Sequence, residues 1–85
     1  MLLTITSLNK IEYKGEVAGL NVKTSSGEIT ILDGHCPLIS VLEKCTAQIL
    51  TKEKTPSDGA GKIPFEVKSG FLEMSDDNRL SLLVD

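Results

Sequence analysis

The sequence contains no tryptophan, one tyrosine and two phenylalanines, so aromatic residues make up only 4% of it. Proteins that hold single-stranded nucleic acid stack bases on aromatic rings, and this chain lacks such a platform. An excess of positive charge is also missing. Nine lysines and arginines stand against twelve acids, for a net charge of −3. Nucleic-acid binding needs basic side chains clustered against phosphates. Here they are scattered, which excludes nucleic acid as the main partner. No run approaches the ~18–20 apolar residues that span a bilayer, so no direct membrane insertion is expected. The opening Met1-Leu2-Leu3-Thr4-Ile5-Thr6-Ser7 has neither the basic stretch nor the long apolar core of a secretory signal. These absences predict a chain that stays in the cytoplasm or an equivalent compartment. Two cysteines are too few for a disulfide scaffold, so Cys36 and Cys45 are expected as reduced thiols.

What is present is the composition of an ordinary globular domain, 40% hydrophobic and 25% charged over 85 residues. That length predicts one domain, residues 1–85, with a small core. A domain of this size buries only about 60–65% of the surface its unfolded chain exposes, and small folds often gain stability by docking onto a partner. The dominant hydrophobic period is two, the strand period. Leu3 and Ile5 alternate with threonines, as do Ile29 and Ile31 with Glu28 and Thr30. Ala47 and Ile49, then Ile63, Phe65 and Val67, then Leu72 and Met74, and finally Leu80, Leu82 and Val84 each share a face. Between residues 16 and 22 the phase slips at Ala18-Gly19, which predicts a bulge or bend. Thr24-Ser25-Ser26-Gly27, Asp33-Gly34, Ser69-Gly70 and Asp76-Asp77-Asn78 read as turns, and residues 52–62 as an exposed hairpin loop. The pattern is eight or nine short strands in an all-β, antiparallel sandwich or flattened barrel.

Few side chains are placed for chemistry. The single histidine, His35, adjoins Cys36, but neighbours in an extended segment point to opposite faces. A nucleophile paired with His35 would have to be Cys45, and no cationic cluster is present to lower its pKa. Asp33, His35, Cys36 and Cys45 match no known zinc spacing. Gly59-Ala60-Gly61-Lys62 lacks the first glycine, the following Ser/Thr and the helix of a phosphate loop. The acids are spread over strands and turns without a contrasting pair for acid–base work. No catalytic, cofactor-binding or metal-binding constellation is therefore expected, and the chain reads as a binding scaffold.

The densest block is Gly27-Glu28-Ile29-Thr30-Ile31-Leu32-Asp33-Gly34-His35-Cys36-Pro37-Leu38. It sets two turns around one apolar strand and presents Glu28, Asp33 and His35 near the strand's ends, on a support stiffened by Pro37. This block resembles the Gly-Glu-x-x-Ile-Leu-x-Gly-His-x-Pro-Leu signature of the ATP synthase epsilon subunit family. Ser69-Gly70-Phe71-Leu72-Glu73-Met74 resembles that family's Gly-Gly-Phe-Leu-Glu-Val segment, and Leu82-Leu83-Val84-Asp85 its last sandwich strand.

The resemblance implies a sandwich of about ten strands in the central stalk of an F-type ATP synthase. It further implies a non-catalytic rotor subunit without cofactor, bound to the gamma subunit and to the polar loops of the c-ring, at the cytoplasmic face of the bacterial inner membrane. By the same resemblance Glu28 faces the c-ring, while His35 and Ser40 lie on the side approached by gamma. Asp33, which stands where the family usually has proline, joins the ring-facing group by its neighbourhood. Three departures are visible. Ser69 replaces the first glycine of the second motif, and Glu43-Lys44-Cys45 stands where Lys-Pro-Gly is usual. The sequence also stops at Asp85, where many members continue into a helical hairpin that inhibits ATP hydrolysis, so that activity is expected to be absent. Two substitutions frame these expectations. Glu28→Ala leaves folding nearly intact, and Phe71→Ala costs about 3–5 kcal/mol if the ring is core.

Overall fold

A computed structural model describes residues 1–8, 10–51 and 61–85. The loop expected over residues 52–62 lies outside these except for its last two positions. Among the described residues there are nine strands and no helix: β1 (Leu2–Ser7), β2 (Lys10–Glu16), β3 (Gly19–Thr24), β4 (Gly27–Leu32), β5 (Leu38–Leu42), β6 (Cys45–Leu50), β7 (Lys62–Val67), β8 (Gly70–Met74) and β9 (Arg79–Val84). The alternating segments of the sequence became strands because each has one apolar face to bury and a turn-forming cluster at its end.

The strands run in the order β2-β1-β9-β8-β5-β3-β6-β7, with β4 paired to the other side of β3. This single sheet curls over on itself into a sandwich. The fold line lies at β3, whose beginning pairs with β6 and whose last residue, Thr24, pairs with Leu42 of β5. The backbone bonds Ser25 N–H to Val41 O (2.9 Å) and Glu43 N–H to Lys23 O (2.9 Å) close that corner. Thr24 is buried, and its hydroxyl is satisfied locally, donating to Gly27 O (2.9 Å) and accepting from Ser26 N–H (3.1 Å).

The core is aliphatic. Leu3, Ile5, Leu20, Val22, Ile31, Ile49, Leu72, Leu80 and Leu82 are all sealed from solvent, each on the face its alternation predicts. Met1 is buried with them.

Two details differ from expectation, and a third narrows one. The pairings are antiparallel except β1 with β9, which run parallel. A parallel neighbour needs a long connection, and here nearly the whole domain is that connection. Second, β2 is a strand that the alternation did not reveal. It pairs only with β1, and most of its residues are exposed, so neither face had to be apolar. Third, of the bulge or bend predicted at Ala18-Gly19 the structure shows the bend, at Ala18 between β2 and β3. Val17 N–H donates to Met1 O (2.9 Å) and Ala18 N–H to Leu50 O (2.7 Å), which turns the chain from one layer into the other.

Candidate interaction surface

Glu28 projects from β4 on the exposed face that it shares with Thr30 and Leu32. Asn21, across the hairpin on β3, donates its amide to the Glu28 carboxylate (3.2 Å) and to the Thr30 hydroxyl (2.8 Å). Glu28 is thus a solvated acid steadied by one side chain. Asp33 lies five residues on, at the other end of β4 and about 16 Å away along an extended strand. The two acids grouped by the sequence reading therefore occupy opposite ends of one strand.

Asp33 and His35 do belong together. The chain leaves β4 through a turn closed by His35 N–H to Leu32 O (3.0 Å), with Gly34 at φ 80°. An L side chain rarely adopts that φ, which accounts for glycine there. Asp33 N–H donates to Ala18 O (3.1 Å). Its carboxylate receives the Met1 α-amine and the Asn78 amide, the latter at 2.9 Å. The ring Nδ1 of His35 lies 2.7 Å from the Cys36 carbonyl oxygen. A carbonyl only accepts, so Nδ1 carries a proton and the ring's other nitrogen is left for whatever approaches.

Cys36 is exposed and Cys45 partly buried, both as free thiols. His35 and Cys45 sit beyond opposite ends of β5, so the structure does not assemble a Cys–His pair. Among the described residues no group of three or more His, Cys, Asp and Glu side chains is arranged to hold a metal ion.

Ser40 sits in the middle of β5 opposite Leu72, half-buried on the inward side with Leu38 and Leu42. Its neighbours Ile39 (76% exposed) and Val41 point outward instead. Val41 is aligned with Phe71 on β8, and Phe71 with Leu83 on β9. The result is an apolar row across three strands, beside a shallow groove of about 530 Å³ lined by Ile39, Phe71, Leu83 and Thr6. Isolated surface hydrophobics are common, but contiguous ones mark interaction sites.

The sequence reading missed this row, although a signal was there. Leu38-Ile39-Ser40-Val41-Leu42 and Leu82-Leu83-Val84 are apolar on both faces. A strand with one solvated face alternates, whereas a strand covered on both does not.

Phe71, whose placement in the core was only a condition of the sequence reading, is 57% exposed and not a core ring. Alternation placed Leu72 and Met74 inside, and Phe71 is necessarily out of phase with them. Phe71→Ala is accordingly expected to change unfolding free energy by less than about 1 kcal/mol. A urea melt showing a loss above about 3 kcal/mol would return the ring to the core.

The family model of the ATP synthase delta/epsilon chain beta-sandwich domain matches residues 1–85. The ATP synthase epsilon chain of Streptomyces coelicolor is 34% identical over 83 residues, covering 98% of this chain and 61% of that one. That of Leptospira borgpetersenii is 36% identical over 83 residues, covering 98% and 59%. The chain thus spans about three fifths of the length of the curated relatives it matches. Among solved structures, a chain of the Euglena gracilis mitochondrial ATP synthase (OSCP/F1/c-ring) superposes with a TM-score of 0.81 at 23% identity, covering 96% of this chain and 48% of that one. A chain of the Tetrahymena thermophila central stalk and c-ring gives 0.77 at 16%, covering 98% and 61%. These likenesses establish the sandwich fold. With the family model matched from the first residue to the last, the chain belongs to the beta-sandwich domain family of ATP synthase delta and epsilon chains.

Proposed function

We propose that this chain is a non-catalytic rotor component in the central stalk of an F-type ATP synthase. In that role it joins the gamma subunit to the c-ring and helps couple ion-driven ring rotation to ATP synthesis. The observation that carries this reading is the family match over all of residues 1–85. The geometry supports it, since a closed aliphatic core carries polar loops and an exposed apolar row, features suited to holding proteins.

In this reading Glu28 and Asp33 face the polar loops of the c-ring. His35 and Ser40 lie toward gamma, flanking Ile39 along one segment. The chain sits peripherally at the cytoplasmic face of the bacterial inner membrane, as part of the complex. Among the described residues no helix is long and apolar enough to cross a membrane.

The test is a calorimetric titration with the gamma subunit of the same organism, followed by reconstitution with the c-ring. One-to-one binding is expected, and absence of binding at micromolar concentrations would overturn the assignment. Glu28→Ala is expected to leave unfolding free energy within about 0.5 kcal/mol of the parent, because its side chain is solvated. It lowers coupling between ion flow and ATP synthesis in the reconstituted complex. Undiminished coupling would remove Glu28 from the ring-facing group.

A further inference from the structure

We infer that Asn78, at the tip of the β8–β9 hairpin, is a positioning residue whose side-chain amide fixes the turn carrying Asp33 and His35. Its Oδ1 accepts the Gly34 N–H at 2.8 Å, and its Nδ2 donates to the Asp33 carboxylate at 2.9 Å. One side chain thus bridges two successive residues of a turn more than forty positions away in sequence. Both bonds use the amide in its full polarity, one end accepting and the other donating.

The backbone at Asn78 argues for the same role. It sits at φ 64°, in the left-handed region that asparagine and glycine tolerate best. Glycine would meet the conformational demand with less strain, so the backbone alone does not select asparagine. The amide is what asparagine adds. It is presented from a well-tied tip. Ser75 N–H donates to Arg79 O (2.9 Å), and the Ser75 hydroxyl donates to the Asp77 carboxylate. The Ser75 hydroxyl, and behind it the Arg79 guanidinium at 3.3 Å, hold the Asp77 carboxyl below its usual range. Leu2 N–H, bonded to Asn78 O at 3.2 Å, ties the tip to β1.

On the other side, Asp33 and His35 have further ties, from Asp33 N–H to Ala18 O, from the Met1 α-amine to the Asp33 carboxylate and from His35 N–H to Leu32 O. At Gly34, between them, a Cβ would meet nothing within 4 Å, and its N–H goes to Asn78. A turn ordered before docking spares its partner the entropy of ordering it. This last step rests on the reading that His35, on this turn, faces gamma.

The experiment combines amide hydrogen exchange by ¹⁵N NMR with gamma titration on variants of the 85-residue chain. Asn78→Gly keeps the tip conformation and removes both bonds. Protection of the Gly34 amide is expected to fall about tenfold, the loss of one or two net hydrogen bonds. Amides of β8 and β9 keep their protection, and gamma affinity falls by about the same factor. Asn78→Asp brings two carboxylates together and loosens the turn, while the exchanged pair Asp33→Asn with Asn78→Asp restores donor to acceptor and recovers protection. General destabilisation would not show that rescue.

Unchanged Gly34 protection in Asn78→Gly would overturn the inference. So would a loosened turn with undiminished gamma affinity. If the parent chain itself fails to bind gamma, the rotor assignment falls instead, and the exchange data alone decide whether Asn78 fixes the turn.

Discussion

Replacing Gly70 by alanine is expected to destabilise the domain by about 3–5 kcal/mol. Gly70 opens β8 at φ 152° and pairs with Val84 of β9. A Cβ there would stand 2.0 Å from the Leu83 carbonyl oxygen, and 3.0 Å from the Leu83 carbonyl carbon and the Val84 Cα. All three are backbone atoms, so no rotamer change relieves the overlap and the two strands must part. Parting them also loosens the Asp85 N–H bond to Ser69 O (3.3 Å) and the bond from the Ser69 hydroxyl to the Asp85 carboxylate. A domain of this length has a total stability of only about 4–13 kcal/mol. Thermal unfolding followed by circular dichroism is therefore expected to show a Tm lowered by more than about 10 °C, or no folded state. A Tm within about 2 °C of the parent would mean that β8 and β9 yield at this point, and that glycine is not required there.

Leu72→Ala is the second large effect, at about 2–5 kcal/mol. Leu72 is completely buried and lies between Ser40 of β5 and Leu82 of β9 in the sheet register. Truncation removes apolar surface from the interior. It also leaves a void that a sandwich closed by curled strands cannot easily collapse around. The adjacent Phe71 is the internal control. The larger ring is out of phase by one residue and mostly in solvent, so the smaller side chain is expected to be worth several times more to stability. Chemical denaturation of both variants in parallel decides it. Equal losses would contradict the sheet register, because a one-residue slip would exchange the faces of the whole strand.

Much of the fold was legible in the residues. Period-two alternation located seven of the nine strands among the described residues, because each of those had one face to bury and a turn cluster to end it, while β5 showed only as a short apolar run. β2 escaped for the same reason: an edge strand with little to bury carries no alternation to read. In the candidate surface, the Gly27 to Leu38 block was visible as two turns about a strand, and its resemblance to the epsilon family agrees with the family match. The pairing of Asp33 with His35, rather than with Glu28, was not visible. Glu28 and Asp33 stand five residues apart at the two ends of β4, each beside a different turn, and only the straightness of the strand keeps them apart.

By itself the sequence determined the class of the molecule. An all-β chain with a small aliphatic core, scattered charge and turns at regular intervals follows from local periodicity and propensity, which neighbouring residues settle between themselves. Tertiary structure alone decided what lies across from what. The parallel seating of β1 beside β9, the outward row of Ile39, Val41, Phe71 and Leu83, and the reach of Asn78 to Gly34 all join residues distant in the chain. No local pattern encodes such partners. They follow from how the curled sheet closes, since only closure of the core fixes which faces are left to solvent.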